Sequence, residues 1–567
     1  MRDNKDGVIY TLSAKCRDCY RCLRECPVNA IAIKDGQAYI ESDRCIICGN
    51  CINECPQGAK VYINSIEMVK GLLESDDKVI ASVAPSYAAV YNKKEADRLS
   101  SILRKLGFWK VINTSESANI VGRESIKYID ENKTENICSA CPVVVNYIQK
   151  YAPEHVKKII PIASPMIVHG RLLRNTYGNN IKVVFIGPCI AKKDEAKKTE
   201  NIGVIDAVLT FKELDEWIKN EKLDISLFEE NAFDMKFYSN EADIFPIPGG
   251  LLKSGGRTTE TTNKRILHTS GYKRNIELLD LSSINFDVVE LLFCEEGCIN
   301  GPGINKKYNL FDRKINLLNY YEKKSVNVKL LETDFNDIYI NKYKTNRNFS
   351  NDVDESKVLE ILSLTGKEDI AHRLNCGACG YKSCEEKAKA VVLGMAEAQM
   401  CIPYMRRLAE QKADVIIETI PNELVLLDNK LKIISMNSSF RESFLCSKEM
   451  LGKNISYLFD SDGYEKLVSF DVDSFKSIVK FNNIEYYQYV YSLREQKQFV
   501  GIYTKINKDR FDEVKMHQLK DNLVGKVLEL RNQQINMAHD VAMLLGENSA
   551  RVEEILWRLM NVYEEDK

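Results

Sequence analysis

Cysteine carries the chemistry open to this chain. There are eighteen cysteines in 567 residues, and most lie within five positions of another. In a small secreted protein that count would suggest disulfides. In motif-spaced groups along a long chain it argues for metal in a reducing compartment. The stretch Phe293-Cys294-Glu295-Glu296-Gly297-Cys298-Ile299-Asn300-Gly301-Pro302-Gly303 follows an apolar run, Val288-Val289-Glu290-Leu291-Leu292, that reads as a buried strand. Two cysteines four positions apart at a strand end suit an iron–sulfur cluster. The glycines let backbone come close to inorganic sulfide. Two more stretches join this set: Cys138-Ser139-Ala140-Cys141-Pro142, and Gly187-Pro188-Cys189-Ile190-Ala191-Lys192-Lys193-Asp194-Glu195. Pro142 is preorganised for the first turn of a helix over Val143 to Lys150. The positive end of that helix favours an anionic cluster.

Together these three stretches resemble the active-site signatures of the [FeFe]-hydrogenases, and the resemblance runs from about Val79 to Gly303. It implies that Cys141, Cys189, Cys294 and Cys298 hold a [4Fe-4S] cluster. Cys298 would also bridge to a two-iron subsite carrying CO, cyanide and a dithiolate, the whole being the H-cluster. It implies that Lys192 hydrogen-bonds an iron cyanide, a role suited to an ammonium beside an anion. Glu195 would orient that lysine or its loop; the plainer reading is that Lys192 and Lys193 are a solvated pair. Several positions depart from the family pattern. Ala140 stands where the family has a proton-relaying cysteine. Cys138 stands where it has threonine, Gly187 where it has methionine, and Leu292 and Phe293 where it has Met and Ala. Intact ligands with an altered relay resemble the sensory hydrogenases. Glu295 or Glu296, beside the ligands, is an alternative relay.

Cys16, Cys19, Cys22 and Cys26-Pro27 form a C-x2-C-x2-C-x3-C-P run, repeated at Cys45, Cys48, Cys51 and Cys55-Pro56. The doubled run resembles the bacterial two-cluster ferredoxins, in which the fourth cysteine of each run serves the other cluster. One [4Fe-4S] cluster is thus expected on Cys16, Cys19, Cys22 and Cys55, and a second on Cys45, Cys48, Cys51 and Cys26. Cys376, Cys379, Cys384 and Cys401 resemble a small four-cysteine [4Fe-4S] domain, with zinc as the alternative. That makes three [4Fe-4S] clusters besides the H-cluster. Cys138 and Cys446 are left over, and Cys446 reads as structural.

These residues need a scaffold. Ile66 to Leu73 reads as a helix, Val79 to Val83 as a strand, Ser100 to Leu106 as a helix, Val183 to Ile186 as a buried strand and Phe211 to Lys219 as a helix. Such alternation argues for α/β layers, and the resemblance implies two lobes with the cluster between them. The glycines Gly249-Gly250 and Gly255-Gly256 lack the Walker spacing and read as a turn near the cluster. Asn341 to Ser356 is polar and reads as a linker. Pro421 to Asp428 and Leu431 to Asn437 read as two strands around an Asp428-Asn429 turn. With the helix Ser438 to Phe444 and a last strand at Gly501 to Thr504, they resemble a PAS domain. From Asp512 to Glu565 the chain reads as helix. Leu523, Val527, Leu530, Gln534, Met537, Val541 and Leu544 there form a heptad seam with one polar core position. The expected fold class is α/β multidomain. It comprises a two-cluster ferredoxin fold at 1–65, a two-lobed hydrogenase domain at 66–345 and a 4Fe-4S domain at 346–410. A PAS α+β domain at 411–508 and C-terminal dimerisation or output helices at 509–567 complete it.

The bounds fit this reading. Net charge is -2, so no bulk electrostatic argument favours nucleic acid or anionic membrane. No apolar run reaches the roughly 18 residues of a membrane span. The polar start, Met1 to Gly7, has no apolar export segment, so a cytoplasmic setting is expected. The expected function is a sensory hydrogenase that reacts slowly with H2 and protons. It would relay redox state to a separate signalling kinase or phosphatase. A ferredoxin-type electron carrier, H-cluster maturation proteins and a second copy of the chain in a homodimer are the other expected partners. The alternatives are a fast ferredoxin-linked hydrogenase and an iron–sulfur scaffold without the two-iron subsite.

Overall fold

The computed structural model describes residues 7–132, 134–234, 240–257, 263–281, 285–322, 338–459, 464–465, 473–494 and 497–506. The heptad seam and the rest of 509–567 lie outside the described residues. The chain divides into two compact units, Met1–Leu362 with Arg373–Glu397, and Ser363–His372 with Ala398–Lys567.

The first unit opens with two small antiparallel ribbons. Ile9–Thr11 pairs with Lys60–Tyr62, and Ile31–Lys34 pairs with Gln37–Ile40. Their connections carry the cysteine runs, on the short helices Arg21–Arg24 and Asn50–Glu54 and the turns before them. The chain leaves through the helix Ile66–Glu74, whose Ile66 and Val69 are buried in the next core.

That core is built on a four-stranded parallel sheet, in the order Lys110–Asn113, Lys78–Val83, Ile181–Gly187, Ala207–Thr210. The central strands are apolar almost throughout, as parallel strands covered on both faces must be. A second parallel sheet has the order Ile266–Ser270, Val288–Leu292, Asn136–Ile137. The helix expected at Ser100 to Leu106 runs from Lys93 to Lys105. A reciprocal capping box of Asn92 and Glu95 starts it well before its apolar face becomes legible. Phe211–Asn220 starts from a second such box, Thr210 with Glu213.

Asn341 to Ser356 is not a free linker. Asn341 N–H donates to Pro161 O, and Gln149 Nε2 donates to Lys344 O at 2.8 Å. Tyr343 donates to Ile162 O at 2.8 Å and Arg44 to Asn351 at 2.8 Å. The polar composition that suggested a linker is used to satisfy exposed backbone, and Glu355 and Ser356 already belong to the helix Glu355–Leu364. The interval 346–410, expected as one domain, is shared between the two units. Its part 373–397 docks on the ferredoxin-type portion, where Ile33 N–H donates to Met395 O at 3.0 Å.

The second unit holds a five-stranded antiparallel sheet, in the order Ile433–Met436, Glu423–Leu427, Gln498–Lys505, Ile484–Leu493, Ser474–Phe481. The hairpin Ser474–Phe481 to Ile484–Leu493 turns on Asn482 and Asn483, both in the left-handed region. Phe440 and Phe444 pack edge to face on Tyr503, and Phe444 lies tilted against Tyr486. Asn437 caps the helix Ser438–Ser443 and ties it to Leu424. Cys446 rests 3.8 Å from the Met436 sulfur.

Candidate functional site

All three cysteine stretches of the first unit leave the carboxyl ends of parallel strands. Cys138 and Cys141 follow Asn136–Ile137, Cys189 follows Ile181–Gly187, and Cys294 follows Val288–Leu292. Open parallel sheets place ligands at such ends. Cys141 caps the helix Pro142–Tyr151, with Pro142 in its first turn. Cys298 is fixed by its own N–H, which donates to Pro246 O at 2.7 Å, so the loop before Gly249 abuts the site. Gly297 has φ +85°, and a side chain there would strike Pro246 O. Gly303 N–H donates to Pro188 O at 2.8 Å, joining the third stretch to the second.

The four thiols act on one another. Burial pushes the Cys189 thiol up to about 12, helped by Cys141 and opposed by Lys192. Burial likewise raises Cys294, which also feels Cys189, Cys141 and Cys298. Cys298 is raised by burial and by Cys141 and Cys189. A buried thiolate set is costly unless positive charge compensates it, and the irons of a cluster supply that charge. The donor set therefore fits a [4Fe-4S] cluster. Among the described residues, no three His, Cys, Asp or Glu side chains converge on a single ion.

Lys192 and Lys193 are both buried, not a solvated surface pair. They point to different places. Lys192 Nζ is 2.6 Å from Glu195 Oε2, on the side that acts on Cys189 and Cys298. Lys193 Nζ reaches Glu213 Oε1 at 2.9 Å, Ser65 Oγ at 2.5 Å and Val208 O at 2.9 Å. Burial lowers the Lys193 ammonium despite Glu213. Sequence reasoning missed Glu213; the Thr-x-x-Glu spacing from Thr210 was its signal.

Ala140 is half-buried and packs on the main core. Neighbouring Ser139 Oγ donates to Ile162 O at 2.5 Å. Glu295 and Glu296 face surface cations, pairing with Arg274 and with Lys314 at 2.7 Å. Glu290, read only as part of an apolar strand, is buried and is felt at both Cys138 and Cys298. One of its oxygens accepts from Leu251 N–H at 3.2 Å, and the other lies 3.1 Å from Nδ1 of the partly exposed His268. A charged residue inside a buried strand was the available signal. The space beside Gly187 is taken by the Phe185 ring, 2.6 Å from where a Cβ would stand. Phe293 stacks on Tyr272 at 6.1 Å.

The ferredoxin-type cysteines act on one another in two groups. Burial raises Cys22 to about 11, with Cys19, Cys16 and Cys55 adding to the rise. Burial raises Cys51, with Cys48, Cys45 and Cys26 adding. One cavity is lined by Cys26, Cys45, Cys48 and Cys51. Backbone N–H groups of Ala30, Ile47 and Ala59 donate to the sulfurs of Cys26, Cys45 and Cys55 at 3.2–3.3 Å. Gly49, at φ +80°, packs against Pro302 and Ile190, and Cys48 is felt at Cys294. Further on, Cys376 is exposed, and Cys384 starts the helix Cys384–Val392 behind the cap Ser383. These two and Cys379 lie in the first unit, whereas Cys401, the cap of Ile402–Thr419, falls in the second.

Comparison with known proteins follows the same division. Residues 77–302 match the family model of the iron only hydrogenase large subunit, C-terminal domain. Residues 15–59 match a 4Fe-4S dicluster domain, and residues 373–403 an Fe-S cluster model. The chain is 25% identical to iron hydrogenase 1 of Clostridium pasteurianum over 298 residues, covering 42% of this chain and 52% of that protein. It is 38% identical to the cytosolic Fe-S cluster assembly factor NAR1 of Vanderwaltozyma polyspora over 104 residues, 18% of this chain and 20% of that one. The chain thus spans about half the length of the first relative and a fifth of the second. A variant of [FeFe]-hydrogenase HydA1 from Chlamydomonas reinhardtii aligns at TM-score 0.40 and 16% identity, over 50% of this chain and 100% of that one. Among the described residues no helix is long and apolar enough to cross a membrane. With its ligand cysteines gathered at the ends of two parallel sheets beside a dicluster portion, the chain carries, over residues 77–302, a domain that matches the iron-only hydrogenase large-subunit family.

Proposed function

We propose that this chain is a sensory [FeFe]-hydrogenase working slowly in the cytoplasm. Cys141, Cys189, Cys294 and Cys298 would hold the H-cluster, with Cys298 shared by the two-iron subsite. When bound, that group supplies the interconversion of protons and electrons with H2. Lys192 is the observation that carries the reading. Its ammonium is buried, is held by Glu195 at 2.6 Å and acts on Cys189 and Cys298; in this reading it would donate to an anionic iron ligand. At position 140 the methyl group neither gives nor takes a proton, so proton delivery is slow. The three further [4Fe-4S] sets would carry electrons, and the second unit, which we read as a PAS domain, would pass the redox state on. The receiver is a separate signalling kinase or phosphatase, with a homodimer through 509–567, a ferredoxin-type carrier and H-cluster maturation proteins as further partners.

The NAR1 relative favours a second reading, an iron–sulfur assembly factor lacking the two-iron subsite. Infrared spectroscopy of the matured protein separates the two. Bands from iron-bound CO and cyanide are expected, and Cys298→Ala should abolish them together with hydrogen reactivity. Absence of the bands in fully matured wild type would establish the assembly-factor reading instead.

A further inference from the structure

Tyr381 belongs to the four-cysteine segment, two positions after Cys379, and is 4% exposed. Its hydroxyl oxygen is buried and has no hydrogen-bond partner among the described residues. A buried hydroxyl without an acceptor is destabilising, and native proteins rarely keep one unless something else satisfies it. The surroundings say what that is. Gly380, at φ +91°, lets the backbone press against the ferredoxin-type portion; a Cβ there would stand 2.8 Å from Leu23 Cδ2. Ile33 N–H donates to Met395 O at 3.0 Å and Asp35 N–H to Glu397 Oε1 at 2.5 Å, fixing the segment in place. Cys379 of its own segment and Cys26 of the dicluster portion are the sulfurs that act on the phenol. A tyrosine hydroxyl carries its proton at neutral pH and is a donor.

We propose that the Tyr381 hydroxyl donates its hydrogen bond to sulfur of an adjoining iron–sulfur cluster, so that the docked four-cysteine segment tunes a redox potential in the dicluster portion or in itself. The proposal rests on the iron–sulfur reading of those cysteine sets, not on the two-iron subsite. Hydrogen bonds to cluster sulfur stabilise the more negative, reduced state and raise the potential. No proton leaves the tyrosine, and the residue acts by positioning one dipole.

The test is Tyr381→Phe in the full chain, reconstituted anaerobically with iron and sulfide. Each cluster signal is titrated against potential by electron paramagnetic resonance. Cys45→Ser and Cys376→Ser identify which signal belongs to the Cys26 set and which to the Cys379 set. One signal should shift to more negative potential while iron content stays at the wild-type level. The cluster-free variant should unfold no lower than wild type, because without a cluster the hydroxyl has no acceptor to lose. A shift of the signal missing in Cys45→Ser assigns the acceptor to the Cys26 set; a shift of the other assigns it to the Cys379 set. Full iron content with every potential unmoved would overturn the proposal. Wild type without any cluster signal would instead overturn the iron–sulfur reading beneath it.

Discussion

At position 140 a methyl group stands where, in the proposed function, proton transfer would need a polar atom. A relay group must reach its proton directly or through one water, and such groups typically contribute about 10²–10⁴-fold in rate. Ala140→Cys is therefore expected to raise hydrogen evolution by up to about that factor. Solution assays of matured protein, with infrared spectra to show equal loading, would check it. The residual wild-type rate has a candidate route the sequence did not advertise. Glu290 is buried near Cys298, and His268 beside it reaches partial exposure. Glu295 and Glu296 are held by Arg274 and Lys314. We expect Glu290→Gln to cost about 10²-fold in the wild-type background and little once Ala140→Cys supplies a nearer donor. Equal losses in both backgrounds would make Glu290 a support for Leu251 N–H and not a relay.

The elements that matter here are strand ends and the short pieces that lock them. Two parallel sheets deliver their cysteines at carboxyl ends, and the glycines of the third stretch pack against Pro246 and Pro188. The buried pair Lys193–Glu213 ties Ser65, at the exit of the ferredoxin-type portion, to the start of the helix Phe211–Asn220. Removing one partner of a buried pair leaves the other uncompensated, at a cost of about 3–5 kcal/mol. Lys193→Met should lower stability by that amount, measured by denaturant unfolding of the cluster-free chain. It should leave the infrared bands of any protein that still matures unchanged. A change below about 1 kcal/mol would mean that water reaches Glu213 as it does a surface pair.

For the whole molecule the countable quantity is iron. Four cysteine sets each holding a cubane, plus a two-iron subsite, predict about eighteen irons per chain. A value near ten, or stoichiometric zinc on Cys376, Cys379, Cys384 and Cys401, would contradict the assignment. The last set is informative because its residue types suit iron and zinc alike. Its loading should depend on Cys401 as strongly as on Cys376, which Cys401→Ser with metal analysis would reveal.

Much of this could be read from residue order because cluster chemistry is local. A C-x2-C-x2-C-x3-C-P run restricts its own backbone, so one doubled run and four further cysteine stretches point to iron–sulfur sites before any fold is known. The strand at Val288–Leu292 was legible for a similar reason: a short apolar run is bounded by the cysteine- and glycine-bearing stretch that follows it. The start of the helix at Lys93 was hidden because a capping box, not an apolar face, begins it. Tertiary structure alone decided the rest. Glu290 and His268 meet because neighbouring parallel strands set them side by side, a register that no local pattern encodes. Lys192 and Lys193 are adjacent in sequence yet serve different partners, since one residue's step around a helix sends their ammonium groups apart. Asn341 to Ser356 looks like a linker by composition, but its polar groups answer carbonyls and amides far away in the chain. Tyr381 reads as an ordinary aromatic until docking leaves its hydroxyl buried between two cysteine sets. Long-range packing determines which groups lose water, and the loss of water gives these residues their roles.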